Sequence, residues 1–160
     1  MELQIDLYTE QHRAAVVDLS LRAWEPVFVS LEQVLGAMLF RALVPDWRIS
    51  QQKAVEDVCA AAENHVWVAL IADAVVGFVA VRLHPEDTLG EIYMIAVDPA
   101  AQGQGVGSAL IGFALEWIRA AGMQVAMVET GGDPGHAPAR HTYEKNGFAL
   151  LPIARYYKLL

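Results

Sequence analysis

The chain has 160 residues, 55% of them hydrophobic and 19% charged, with 11 Lys+Arg against 19 Asp+Glu for a net charge of −8 at pH 7. That balance leaves too little cation for a phosphate-neutralising nucleic-acid clamp or a polybasic membrane-surface patch, and the apolar fraction excludes a disordered or low-complexity chain. The length fits one domain over residues 1–160, and a lone cysteine, Cys59, excludes an intramolecular disulfide framework.

The acidic start has no basic flank leading into an apolar stretch, so no secretory leader is expected. The longest strongly apolar run, Ala74 to Val81, falls short of the ~18 residues a spanning helix needs. A cytoplasmic protein is therefore expected. Leu3 to Tyr8 alternates like a strand, and Thr9 is placed to cap a helix from Glu10 carrying Ala14, Val17 and Leu21 on one face. Between Trp24 and Trp47 the pattern is helical but interrupted at Pro26 and Pro45. Ser50 opens a further helix with an apolar stripe of Val55, Val58, Cys59 and Ala62. Cys59 on that stripe reads as a small core residue rather than a nucleophile, because no base is spaced beside it.

Three β-rich stretches follow, His65–Ala72, Val75–Leu83 and Glu91–Val97, the first two joined tightly enough for an antiparallel hairpin. After Asp98-Pro99 a glycine-rich loop enters a helix with Val106, Leu110, Phe113, Trp117 and Ala121 on one face. A strand over 124–129, a Gly/Pro loop over 131–138, a short helix over 139–146 stopped by Gly147, and a closing strand pair (Phe148–Leu151, Ala154–Leu159) complete the order. Strands around two central helices make a mixed α/β layer architecture.

The chemistry concentrates in Gln102-Gly103-Gln104-Gly105-Val106-Gly107-Ser108, between a strand and a helix. First-turn N–H groups lack intrahelical partners and sit at the positive end of the macrodipole, and glycines let backbone approach an anion closely. The spacing fits a phosphate cradle or a merely permissive turn. A dinucleotide fingerprint fails because Ser108 or Leu110 stands where its last glycine belongs, and a P-loop fails because no Gly-Lys-Ser/Thr follows. Ser108 is not in a G-x-S-x-G elbow. His136 and His141 are five apart, unlike a helical i, i+4 metal pair, so no metal site is expected.

Gln102-x-x-Gly105-x-Gly107, preceded by Glu91-Ile-Tyr-Met-Ile-Ala-Val-Asp-Pro, resembles the Q/R-x-x-G-x-G/A signature of the GNAT superfamily of N-acetyltransferases. The segment from Ala139 to Phe148, ending Tyr143-Glu-Lys-Asn-Gly-Phe, resembles the family's late helix-and-strand motif, and the order of elements agrees over nearly the whole chain. The resemblance implies a mixed, mostly antiparallel sheet of six to seven strands with about four helices, binding acetyl-coenzyme A where the central strands splay. It implies that Ile95, Ala96 and Val97 pair with the pantetheine arm, Ala96 or Val97 donating to the thioester carbonyl, and that the loop from Gln102 to Ser108 holds the pyrophosphate. Tyr143 would be the general acid toward the departing sulfur, or else packing beside Phe148. Glu91 stands where some protein-acetylating members carry a general base. Glu129, after the apolar Val125–Val128, is a second candidate, since apolar surroundings move a carboxyl toward neutrality. His136 replaces an asparagine that in many relatives bonds the pantetheine; it could take over that bond, act as base, or be a plain loop residue. Ala139 and Lys145 are coenzyme contacts by position, though Lys145 reads first as a solvated helix charge.

By the same resemblance Trp24, Glu25, Phe28 and Trp47 on one side, with Tyr93, Arg155, Tyr156 and Tyr157 on the other, would line the acceptor cleft unless they fill the core. Aromatic walls with a carboxylate suit a small cationic amine. The expectation is direct acetyl transfer to a small primary amine, with a protein amine or a non-catalytic acyl-coenzyme A sensor as alternatives. A homodimer follows only from family habit.

Overall fold

The structure, a computed structural model, describes residues 2–160. Alternation of apolar and polar residues builds β1 (Leu3–Leu7), and continuous apolar runs, as expected of strands covered on both faces, build β2 (Asn64–Ile71), β3 (Ala74–His84), β4 (Leu89–Val97) and β5 (Val125–Val128). They form one sheet in chain order, antiparallel from β1 to β4 and parallel between β4 and β5. The parallel step demands a crossover, which α4 (Val106–Ala120) supplies across one face. The other face carries α1 (Arg13–Leu35) and α3 (Trp47–Ala60), while α2 (Ala37–Leu43) and α5 (Ala137–Lys145) are shorter.

Period-two alternation divides the sheet's side chains into two cores. Trp67, Ala69, Val79, Val81 and Ile92 pack on Val106, Leu110, Ile111, Ala114 and Ile118 of α4. Val66, Val68, Phe78 and Ala80 pack on Val16, Leu19, Val55 and Val58 of α1 and α3. The β2–β3 hairpin turns on Ala72 and Asp73, both at positive φ (49° and 65°), as a two-residue turn matching the strand twist requires.

Three expectations change. The sheet has five strands, not six or seven: the closing pair over Phe148–Leu151 and Ala154–Leu159 has no regular structure. Pro152 falls in the middle of this stretch and removes a ladder donor there. Second, α1 runs straight through Pro26, which is exposed, so that water can reach the carbonyl its missing N–H leaves free. Third, the helical segment that Thr9 caps from Glu10, in a capping box with His12, is a 3₁₀ turn and not α1 itself. A 3₁₀ turn over Glu10–His12 precedes the helix, and His12 Nδ1 accepts from the Thr9 backbone N–H at 3.0 Å.

Candidate active site

The site begins with a fault in the sheet. β3 and β4 pair regularly from His84↔Leu89 to Val81↔Ile92, and then Ala80 faces Met94, leaving Tyr93 as an extra residue. Such a bulge bends its strand and rephases the side chains beyond it. Ile92 packs on the α4 side, and after the bulge Met94 and Ala96 turn to the α1–α3 side while Ile95 and Val97 join the α4 side. β4 and β5 pair only from Leu89↔Val125 to Ile92↔Val128. Beyond Ile92 the strands part, and the β5-side edge of β4 is unpaired through Val97. Asp98 N–H donates to Val76 O at 2.8 Å, so strand alternation turns the N–H groups of Val97 and Ile95 toward that open edge and that of Ala96 toward β3.

The glycine loop stands at the end of the same strand. Arg22 of α1 donates to Asp98 at 2.6 Å, holding that carboxyl below its ordinary range, and Asp98 Oδ1 accepts from Ala100 N at 3.0 Å. A 3₁₀ turn over Pro99–Ala101 then leads through exposed Gln102, Gly103, Gln104 and Gly105 into α4. Gly105 is the N-cap with φ +82°, a left-handed conformation natural only to glycine, and a side chain there would meet open space. No side chain caps this helix, so the N–H groups of Val106, Gly107 and Ser108 are left to an outside acceptor. Gln102 folds back so that Nε2 reaches Val97 O at 3.5 Å.

α5 closes the wedge from the β5 side. Asn146 Nδ2 donates to Ser108 Oγ at 3.2 Å, tying the end of α5 to the first turn of α4. Tyr143 packs on the α4-side core with its ring edge-on to Phe148, 6.0 Å between centroids, and burial pushes its hydroxyl up to about 12, so it stays protonated at neutral pH. Ala139 is half-buried, and Lys145 is exposed without an ion pair.

On the α1–α3 face, a polar row lies at the root of the wedge. His84 Nε2 sits 2.9 Å from Glu91 Oε1, Arg82 Nε donates to Asn64 Oδ1 at 2.9 Å, and the Arg82 guanidinium lies 4.0 Å over the Tyr93 ring. Sequence reasoning missed Arg82 and His84; their alternation with Ala80 was the available signal. Glu129 is exposed at the end of β5, without the apolar enclosure expected for it.

The expected acceptor wall is brought together only in part. Phe28 and Trp47 stack at 4.6 Å between centroids, with Arg48 over Trp47 and bonded to Glu25 at 3.1 Å, so these side chains fasten α1 to α3. Trp24 packs against the α1–α3 core. Tyr156 is 89% exposed in the irregular tail and lines nothing in this structure. Its displacement follows from the missing strand pair.

Among the described residues no group of three His, Cys, Asp or Glu side chains is placed to hold a metal ion. No helix is long and apolar enough to cross a membrane. Residues 34–148 match the profile of the Acetyltransferase (GNAT) family. The chain belongs to that family. The GNAT match covers both the glycine loop and α5. Within the family, the chain is 38% identical over 89 residues to the mycothiol acetyltransferase of Rhodococcus erythropolis, an overlap of 53% of this chain and 29% of that protein. It therefore spans less than a third of that relative's length. The PaiA N-acetyltransferase of Thermoplasma acidophilum, solved with coenzyme A, superposes with a TM-score of 0.71 at 11% identity, covering 96% of this chain and 94% of that one. An aminoglycoside acetyltransferase from an uncultured soil metagenomic sample, solved with sisomicin, superposes with a TM-score of 0.59 at 22% identity, covering 99% and 96%. These two likenesses show the GNAT fold.

Proposed function

We propose that this protein is an acetyl-coenzyme A-dependent N-acetyltransferase that transfers acetyl directly to a primary amine of a small molecule. The observation that carries the reading is the juxtaposition of the unpaired edge of β4 beyond Tyr93 with the uncapped N-terminus of α4. An extended amide-bearing arm and a diphosphate, five or so bonds apart in chemistry but joined in one ligand, fit a strand edge running into a helix N-terminus. Acetyl-coenzyme A is such a ligand, and it supplies the activated acetyl thioester.

On this reading Ile95, Ala96 and Val97 hold the pantetheine arm, and Val97 N–H, being turned outward, is the donor to the acetyl carbonyl oxygen. Backbone from Gln102 to Ser108 holds the pyrophosphate. Tyr143, kept protonated by burial, gives its proton to the departing sulfur. The acceptor approaches from the α1–α3 face, where Tyr93 and the Glu91–His84 pair stand. Glu91, Glu129 and His136 are the groups able to take the amine's proton. A small-molecule amine is favoured because the carboxylate and aromatic groups of this face suit a compact cation, and because relatives carry the names mycothiol and aminoglycoside acetyltransferase.

A panel of small primary amines assayed for thiol release with acetyl-coenzyme A, alongside calorimetric titration of coenzyme A, tests this. Turnover of at least one amine is expected. Tight coenzyme binding with no turnover of any small amine or peptide would replace the enzyme by an acyl-coenzyme A sensor, and turnover of peptide amines alone would replace the acceptor class.

A further inference from the structure

We infer that His136 is the general base of the reaction, held in one tautomer by Asp133, and that Ser30 of α1 locks this pair to the acceptor side of the molecule. The inference rests on the acetyltransferase reading above and adds the residue that accepts the amine's proton.

The loop leaving β5 is rich in glycine and proline, yet it is tightly fastened. Ser30 Oγ donates to Asp133 Oδ2 at 2.6 Å and itself accepts from Gly135 N at 2.8 Å. Gly135 N also reaches Asp133 Oδ2 at 3.2 Å, and Asp133 Oδ1 is bonded to His136 Nδ1. Arg140 of α5 donates to the carbonyls of Gly131 at 2.6 Å and Asp133 at 2.8 Å. A side chain on Gly135 would stand 2.5 Å from Ser30 Cβ, so glycine is what lets the loop press on α1. The Asp133 side chain is only 8% exposed and that of His136 19%. Burial alone would push the Asp133 carboxyl up, but the hydrogen bonds from Ser30 and His136 outweigh it and hold it below its ordinary range.

An ionised carboxylate only accepts, so the contact puts a proton on His136 Nδ1 and leaves Nε2 as a free acceptor in the neutral ring. Ser30 bonds to Asp133 and not to the imidazole, which rules out a serine nucleophile here. The 3₁₀ turn over Pro134–His136 runs directly into α5, so His136 and Tyr143, seven residues apart, fall on the same side of one helix. Two turns separate them by about 10 Å along the axis, room for an amine and a thioester between base and acid. The rival carboxylates are less well set. Glu91 is already engaged by His84 where β4 is still paired with β5, and Glu129 is exposed. An imidazole's ordinary range also lies closer to neutrality than a carboxylate's, which suits a base working there. Asp133 faces the imidazole, Arg140 faces the loop carbonyls from α5, and α1 presents the neutral Ser30.

The protons balance. Nε2 takes one proton from the substrate ammonium; the freed electron pair forms the C–N bond as the C–S bond breaks; and Tyr143 protonates the sulfur. Of the three ammonium protons, one stays on the amide, one restores Tyr143, and one leaves through His136 to solvent.

The test is the pH profile of kcat/KM for the best acceptor of the amine panel, with coenzyme A affinity and the ¹⁵N NMR tautomer of His136 measured on the full chain. His136→Ala is expected to lower kcat/KM about 100-fold, abolish the acidic limb, leave coenzyme affinity within twofold and recover with added imidazole. Asp133→Asn is expected to alter the acidic limb and to mix the tautomers, since it removes the acceptor of the Nδ1 proton. An acidic limb that survives His136→Ala but disappears in Glu91→Gln overturns the assignment. Asp133→Asn that lowers thermal stability while leaving limb and tautomer in place overturns its positioning role. Coenzyme binding with no turnover of any amine, but with the Nδ1–H tautomer intact, instead refutes the acetyltransferase reading and the base role with it.

Discussion

A phenol made reluctant to ionise is an odd acid in bulk water, and its usefulness depends on where it sits. Tyr143 is pushed up to about 12 by burial against the α4-side core, so it stays protonated throughout the neutral range, and in the proposed reaction its proton goes to the thiolate forming beside it. Tyr143→Phe is therefore expected to lower kcat about 100-fold with coenzyme A affinity unchanged within twofold, read by steady-state kinetics and calorimetry. Asp133 carries the opposite sign of consequence. Its folded-state range is depressed, so its contribution to stability is present above the unfolded value of about 3.9 and is lost as pH falls through the lower folded value. Thermal melts of Asp133→Asn should fall short of the wild type by about 2–4 °C at pH 7, and the gap should narrow as the pH falls below about 3.9. The proposed role of Tyr143 comes from its resemblance to the family motif. The Ser30–Asp133–His136 arrangement was not legible in sequence, because Ser30 and Asp133 lie 103 residues apart and nothing local marks the serine as a partner.

At the scale of elements, the wedge is made by two local irregularities: the bulge at Tyr93 and the left-handed Gly105. Gly105→Glu should abolish measurable coenzyme A binding in calorimetry while the far-ultraviolet circular dichroism stays that of the wild type. The substitution sets a carboxylate before the helix N-terminus and strains φ, yet touches no core side chain. Retained affinity would contradict the phosphate cradle. Apolar β-rich runs bounded by turn residues made β2 to β4 readable from the residues alone, and helical spacing and glycine placement did the same for α4 and the loop before it. The bulge was invisible because Ile92–Val97 is a continuous apolar run with no period to break, and the extra residue exists only relative to β3. Helix α1 was read as broken because proline cost was weighed without the solvent exposure that lowers it at Pro26. The closing strands failed because β propensity was counted on both sides of Pro152 without its lost ladder donor.

Taken whole, the molecule sets a net charge of −8 against a polyanionic ligand and offers it backbone rather than lysine. The cradle from Gln102 to Ser108 contains no cationic side chain, so binding should release few counterions. Coenzyme A affinity measured at 50 and 300 mM NaCl should differ by less than about threefold, whereas a steep loss with salt would mean that side-chain cations such as Lys145 carry the phosphates. On the proposed reading the two sides of the sheet divide the work: the α4 side anchors the donor, and the α1–α3 side, through Tyr93, Glu91 and the loop locked by Ser30, receives the acceptor. Amide hydrogen exchange with and without coenzyme A measures that division directly. The ligand should slow exchange at the outward N–H groups of Ile95 and Val97 and in the segment from Gly103 to Ser108, leaving β1 and α3 unchanged. Protection confined to other segments, or none at saturating coenzyme, would contradict the claim that the parted strands and the open helix end together form the donor site.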